Sequence, residues 1–234
     1  MRQVKTLVKE IPVVGTVARG IRISIKKAMF PGSKEYWETN YARGGTSGDG
    51  SDGRLAEFKA EVLNNFTAEK QVQSVIEWGC GDGRQLALAR YPSYIGLDVS
   101  RTAIRRCLDR FQGDSSKSFF WYDPDYFRDR TGVFHAELAL SLDVIYHLIE
   151  DPIFELYMNA LCDSAQKYLI VYSSDTDETP FLEAAHYKNR CFTKWLAVHR
   201  PEWAVMKHIP NRYPFTGNTT TGSVSDFYLF EKKS

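Results

Sequence analysis

Hydrophobic positions change their spacing several times along the chain, and the changes divide it into segments. Val4, Leu7, Val8, Ile11, Val14, Ala18, Ile21, Ile25 and Ala28 recur every three or four residues, the spacing of an amphipathic helix. Pro12, Gly15 and Gly20 interrupt this stripe and predict short helical pieces. Pro31-Gly32-Ser33 closes the head, so residues 1–33 form an N-terminal extension and 34–234 the main domain. Five glycines between Arg43 and Gly53 predict a mobile loop. Leu55, Phe58, Val62, Leu63 and Phe66 then share one side of a helix predicted over 55–68.

Beyond residue 70 strand and helix signals alternate. Strands are predicted over 72–78, 94–99, 119–122, 138–142 and 167–172. Helices are predicted over 83–90, 102–111, 152–165 and 180–198. Pro152 suits a first helical turn, where a missing N–H leaves nothing unpaired. Residues 203–209 and 226–231 predict a closing antiparallel pair. This order gives an α/β fold, doubly wound, with a mainly parallel sheet between two helical layers. Ligands in such sheets bind beyond the carboxyl ends of the strands, so the residues after each strand carry the candidate chemistry.

Composition narrows the class. Of 234 residues 43% are hydrophobic and 25% charged, which excludes wholesale disorder. No run approaches the roughly 20 apolar residues of a membrane span. Thirty basic against 29 acidic residues argue against a general nucleic-acid binder. Aromatic residues at 14% suit a binding cleft or an interface. The charge is uneven: residues 1–30 hold Arg2, Lys5, Lys9, Arg19, Arg22, Lys26 and Lys27 against Glu10 alone, leaving 23 basic and 28 acidic residues for the rest. Two readings of the head stand side by side. It packs on the body, or it lies on an anionic membrane surface as a peripheral contact. The four cysteines are far apart, with no C-x-x-C, so neither a disulfide framework nor a metal site is expected. A reducing, cytoplasmic location follows, at the inner face of the membrane on the second reading.

The first strand runs into Glu77-Trp78-Gly79-Cys80-Gly81-Asp82-Gly83. Alternate glycines allow a tight turn and close approach of a ligand to the main chain. A dinucleotide fingerprint requires its third glycine where this chain has Arg84. The second strand ends Tyr94-Ile95-Gly96-Leu97-Asp98-Val99-Ser100, placing Asp98 at the tip of the neighbouring strand, where a carboxylate can accept both ribose hydroxyl protons.

With these two motifs the chain resembles the class I S-adenosylmethionine-dependent methyltransferases over about residues 35–232. The resemblance implies a Rossmann-like seven-stranded sheet with an antiparallel last strand, and S-adenosyl-L-methionine as cofactor. It implies that Gly79, Gly81 and the backbone around Cys80 hold the methionine part, with Glu77 beneath the glycine loop and Asp98 on the ribose. Val99 stands where the family places an aromatic or apolar residue. Asp123 matches a position that contacts adenine, Tyr122 flanks the ring, and Leu142 borders the cofactor. The segment bearing Tyr36, Trp37 and Arg43 matches a lid closing over it. Asp123-Pro124-Asp125-Tyr126 is like an amino-methyltransferase signature, but that signature belongs after the fourth strand.

Methyl transfer needs alignment, a dry cavity and, for a hydroxyl acceptor, a base. His147, after the fourth strand, is a candidate base, or else a residue ordering Asp151. His186 and Arg190, four apart on the predicted 180–198 helix, suit an acceptor with hydroxyls and a carboxylate or phosphate. Asn211, Arg212 and Tyr213 are candidates for the rim. The expected partner is a small-molecule or glycan-like acceptor, methylated at oxygen. Methylation of an amine and a non-catalytic cofactor-binding subunit are the alternatives, and the oligomeric state is left open.

Overall fold

The computed structural model describes residues 30–178 and 184–233, so the amphipathic head up to residue 29 lies outside the described residues. The elements are α1 (Ser33–Ala42), α2 (Gly53–Glu69), β1 (Val75–Trp78), β2 (Tyr94–Asp98), α3 (Arg101–Arg110), β3 (Lys117–Trp121), β4 (Ala136–Leu142), α4 (Asp151–Ser164), β5 (Ala165–Ser173), α5 (Phe192–His199), β6 (Trp203–Ile209) and β7 (Asp226–Lys232). They form one seven-stranded sheet in the order β3-β2-β1-β4-β5-β7-β6. β1, β2, β3, β4 and β5 pair in parallel, and β7 runs antiparallel between β5 and β6.

The central strands read as near-continuous apolar runs because both faces are covered. β1 is buried at all four positions, and β4 at every position but Glu137. Ile76 and Trp78 pack with Met158, Leu161 and Phe192 on one face. Phe58, Leu63 and Phe66 of α2 pack with Leu138, Ile170 and Phe227 on the other. Each such side chain removed from water contributes about 1.5–3 kcal/mol. Pro152 occupies the first turn of α4, as its ring geometry favours.

Two predicted helices differ. Residues 83–90 form only a short 3₁₀ turn at Leu86–Leu88. Asn64 of α2 holds that segment from outside, donating to the Leu88 carbonyl at 3.0 Å and accepting from the Arg90 amide at 2.8 Å. Of the helix predicted over 180–198, residues 180–183 lie outside the described residues, 184–191 are not helical, and the helix begins at Phe192. Residues 184–191 take an irregular path because their polar groups find distant partners. The Lys188 amide donates to the Tyr146 carbonyl, and the Cys191 amide to Asp177. His186 and Arg190 therefore share no helical face. Helix α1, which shows no apolar stripe, is held instead by polar contacts to the body, described next.

Candidate functional site

A cavity of about 640 Å³ opens above the carboxyl ends of β1, β2 and β4. Its floor is the turn after β1. Gly79 has φ +78°, and a Cβ there would stand 2.5 Å from Val144 Cγ2. Gly81 has φ +59°, and a Cβ there would collide with Ser47 and reach the Tyr41 hydroxyl. Both positions therefore exclude a side chain on conformational and steric grounds. Cys80 lines the same floor.

Asp98 sits at the tip of β2, 6% exposed. Its Oδ2 accepts the Gly81 amide at 2.9 Å and its Oδ1 the Ser100 amide at 2.8 Å. Burial pushes it up to about 6. A carboxylate has about four acceptor positions, so two remain for donors from the cavity. Glu77 lies beneath the floor, accepts the Tyr94 hydroxyl at 2.7 Å and is pushed up to about 7 by burial. Val99, Tyr122 and Leu142 form an apolar wall beside Asp98. Glycines without room for side chains, beside a carboxylate with two free acceptor positions, fit a nucleoside with a vicinal diol.

Helix α1 and the following loop roof the cavity. Glu38 accepts from the Ser100 hydroxyl at 2.7 Å and the Thr102 hydroxyl at 2.6 Å. The Ser33 amide and hydroxyl donate to Glu150 at 2.9 and 2.6 Å. Arg106 donates to the carbonyls of Gly45 and Tyr41. Ser47 donates to Asp82 at 2.8 Å. These bonds clamp the roof from three sides and set Trp37 on the cavity wall.

At the mouth, His147 Nδ1 lies 2.8 Å from the His186 carbonyl oxygen. A carbonyl only accepts, so Nδ1 carries the proton and neutral His147 keeps its lone pair on Nε2. Burial pushes its pKa down to about 4. The Trp37 ring packs edge-on at 4.9 Å, and the His186 ring lies at 5.4 Å. His186 stacks on Tyr36 at 4.5 Å.

Three candidates stand elsewhere. Arg43 is exposed and does not line the cavity. Its neighbour in sequence, Gly44, carries the chain past the end of α1, so the side chain emerges outward. Asp123 is likewise absent from the wall; Lys34 Nζ binds it at 2.9 Å and holds it below the usual carboxylate range. Arg190 pairs with Asp151, donates to the Leu148 and Ile149 carbonyls and lies 4.4 Å over the Phe154 ring. These contacts hold two segments together, while its Nε is buried without a hydrogen-bond partner. The proposed rim also moves: Asn211 is bonded to Tyr172 and Ser225, Arg212 pairs with Glu61, and Phe215, Thr219 and Ser223 line the cavity instead.

Lys59 was not anticipated. It is 1% exposed, lines the cavity and pairs with Asp143 Oδ2 at 2.8 Å. Its signal was a lysine on the apolar stripe of α2, four residues after Leu55 and four before Leu63.

No family model and no curated protein matches the chain. Solved structures do. The N-methyltransferase NodS from Bradyrhizobium japonicum WM9, in complex with S-adenosyl-L-homocysteine, aligns at 15% identity with TM-score 0.63, covering 87% of this chain and 100% of that one. The magnesium protoporphyrin IX methyltransferase ChlM from Synechocystis PCC 6803, with the same molecule bound, aligns at 14% and 0.59, covering 86% and 98%. The methyltransferase domain of bacterial CtHen1 aligns at 17% and 0.58, covering 75% and 97%. The fold is thus the Rossmann-like fold of class I methyltransferases.

Proposed function

We propose that the chain is an S-adenosylmethionine-dependent methyltransferase acting on a small, hydroxyl-bearing acceptor of glycan-like chemistry. The observation that supports it most is the buried Asp98 carboxylate beside the side-chain-free turn of Gly79 and Gly81. Asp98 would hold the ribose hydroxyls, Tyr122, Val99 and Leu142 the base, and Glu77 the methionine end through the floor. S-adenosylmethionine supplies a sulfonium methyl open to in-line displacement.

The chain's own residues align the acceptor and exclude water. Trp37 and the clamped roof close the cavity. His147, fixed in the Nδ1–H tautomer, takes the acceptor's hydroxyl proton on Nε2 as the oxygen gains the methyl. Methylation of an amine is the second reading, supported by the weak basicity of His147. An amine enters as its free base and demands less proton removal. Isothermal calorimetry with S-adenosylhomocysteine tests the cofactor. A screen of sugars, lipid-linked glycans and amines, with mass spectrometry of the product, tests the acceptor. Labelled methyl appearing only on amines would shift the assignment to the second reading.

A further inference from the structure

Asp143 follows β4 directly and is one of two non-glycine residues with positive φ among the described residues, at +59°. Aspartate tolerates this conformation better than most side chains, but it remains disfavoured. Such strain persists where the surroundings over-determine it, and it clusters at functional sites. Here the surroundings are four separate segments. Oδ1 accepts the Tyr146 hydroxyl and the Ser225 hydroxyl, both at 2.8 Å. Oδ2 accepts Lys59 Nζ at 2.8 Å. Gly50 of the roof passes close by: a Cβ there would stand 3.0 Å from the same oxygen.

Three donors on a carboxylate leave about one acceptor position. The side chain is 18% exposed and lines the cavity; its partner Lys59, 1% exposed, lines the same cavity. The more exposed member of the pair is therefore the acceptor. A hydroxyl donor meets a carboxylate fixed in place by three donors. His147, four residues on, offers a second acceptor atom at the same mouth.

We propose that Asp143 anchors the methyl acceptor by taking a hydrogen bond from one of its hydroxyls, and that Lys59 is the positioning residue that holds it. The inference rests on the methyltransferase reading and assigns the acceptor side of that site.

The probe is a pair of cofactor analogues. S-adenosylhomocysteine carries a bare sulfur; sinefungin carries an ammonium-bearing carbon where the sulfonium methyl stands, so its charge faces the acceptor side. Calorimetry on the intact chain gives the preference for sinefungin over S-adenosylhomocysteine. Asp143→Asn is expected to lower that preference about tenfold, with S-adenosylhomocysteine affinity within about threefold of wild type. Because Asp143→Asn strands a buried lysine, the pair Lys59→Met with Asp143→Asn removes both charges and is expected to show the same loss. An unchanged preference, or parallel weakening of both analogues, overturns the proposal while leaving the cofactor site intact. A wild-type chain that binds neither analogue overturns the methyltransferase reading, and this inference with it.

Discussion

Asp98 concentrates the nucleoside reading in one side chain. Replacing it by alanine leaves the Gly81 and Ser100 amides without their acceptor and removes both free lone-pair positions. The expected loss in S-adenosylhomocysteine affinity is about 1.5–3 kcal/mol, read by calorimetry on the folded variant. Unchanged affinity would mean that the hydroxyls are held elsewhere. Asp98 and Glu77 are raised to about 6 and 7 because burial disfavours their charge. Donors and a positive charge from a ligand favour the ionised forms, so binding near pH 6.5 is expected to release protons. Calorimetry in two buffers of different ionisation enthalpy measures that release, and identical enthalpies in both would count against it. His147 works in the opposite direction. Its folded pKa is depressed to about 4, so its contribution to stability is present above its unfolded value of about 6.5 and is lost as pH falls towards 4. The melting temperature of wild type relative to His147→Gln should therefore rise between pH 4 and 6.5, and a flat difference would show that His147 is not buried neutral.

Helix α1 shows how an element can form without a readable stripe. Its residues SKEYWETNYA have no continuous apolar face, and its place is set by Ser33 on Glu150, Lys34 on Asp123 and Glu38 on Ser100 and Thr102. Glu38→Ala removes an acceptor of three donors, two hydroxyls and the Thr102 amide. The expected result is faster release of S-adenosylhomocysteine by about tenfold in stopped-flow measurements, while global stability falls by about 1–2 kcal/mol. Equal dissociation rates would show that α1 does not gate the cavity. Helix α2 is the contrary case. Leu55, Phe58, Leu63 and Phe66 are buried as their spacing demands, and Leu63→Ala is expected to cost about 2–5 kcal/mol in denaturant unfolding. Lys59 sits on that same face, and only the arrival of Asp143 from β4 makes its burial tolerable.

For the molecule as a whole, the charge asymmetry sets a test. With +6 in residues 1–30, the full chain is expected to bind anionic vesicles, each basic residue near the surface contributing about 1 kcal/mol. A chain starting at Lys34 should lose vesicle binding and keep S-adenosylhomocysteine binding. Aggregation of that shortened chain would mean that the head belongs to the core.

Periodicity and punctuation were enough to read the doubly wound sheet, the closing antiparallel pair, the glycine turn after β1 and Asp98 at the tip of β2. These features depend on alternation, on φ angles that only glycine adopts easily, and on short spacings, all of which are written locally. The fate of His147, Arg190 and Lys59 was not local. Arg190 and Asp151 lie 39 residues apart, Lys59 and Asp143 lie 84 apart, and His147 meets a carbonyl 39 residues on. A charged side chain takes whichever partner the fold brings within reach. The tertiary structure therefore decided that Arg190 braces a loop, that Asp143 and Lys59 meet at the cavity, and which nitrogen of His147 holds the proton.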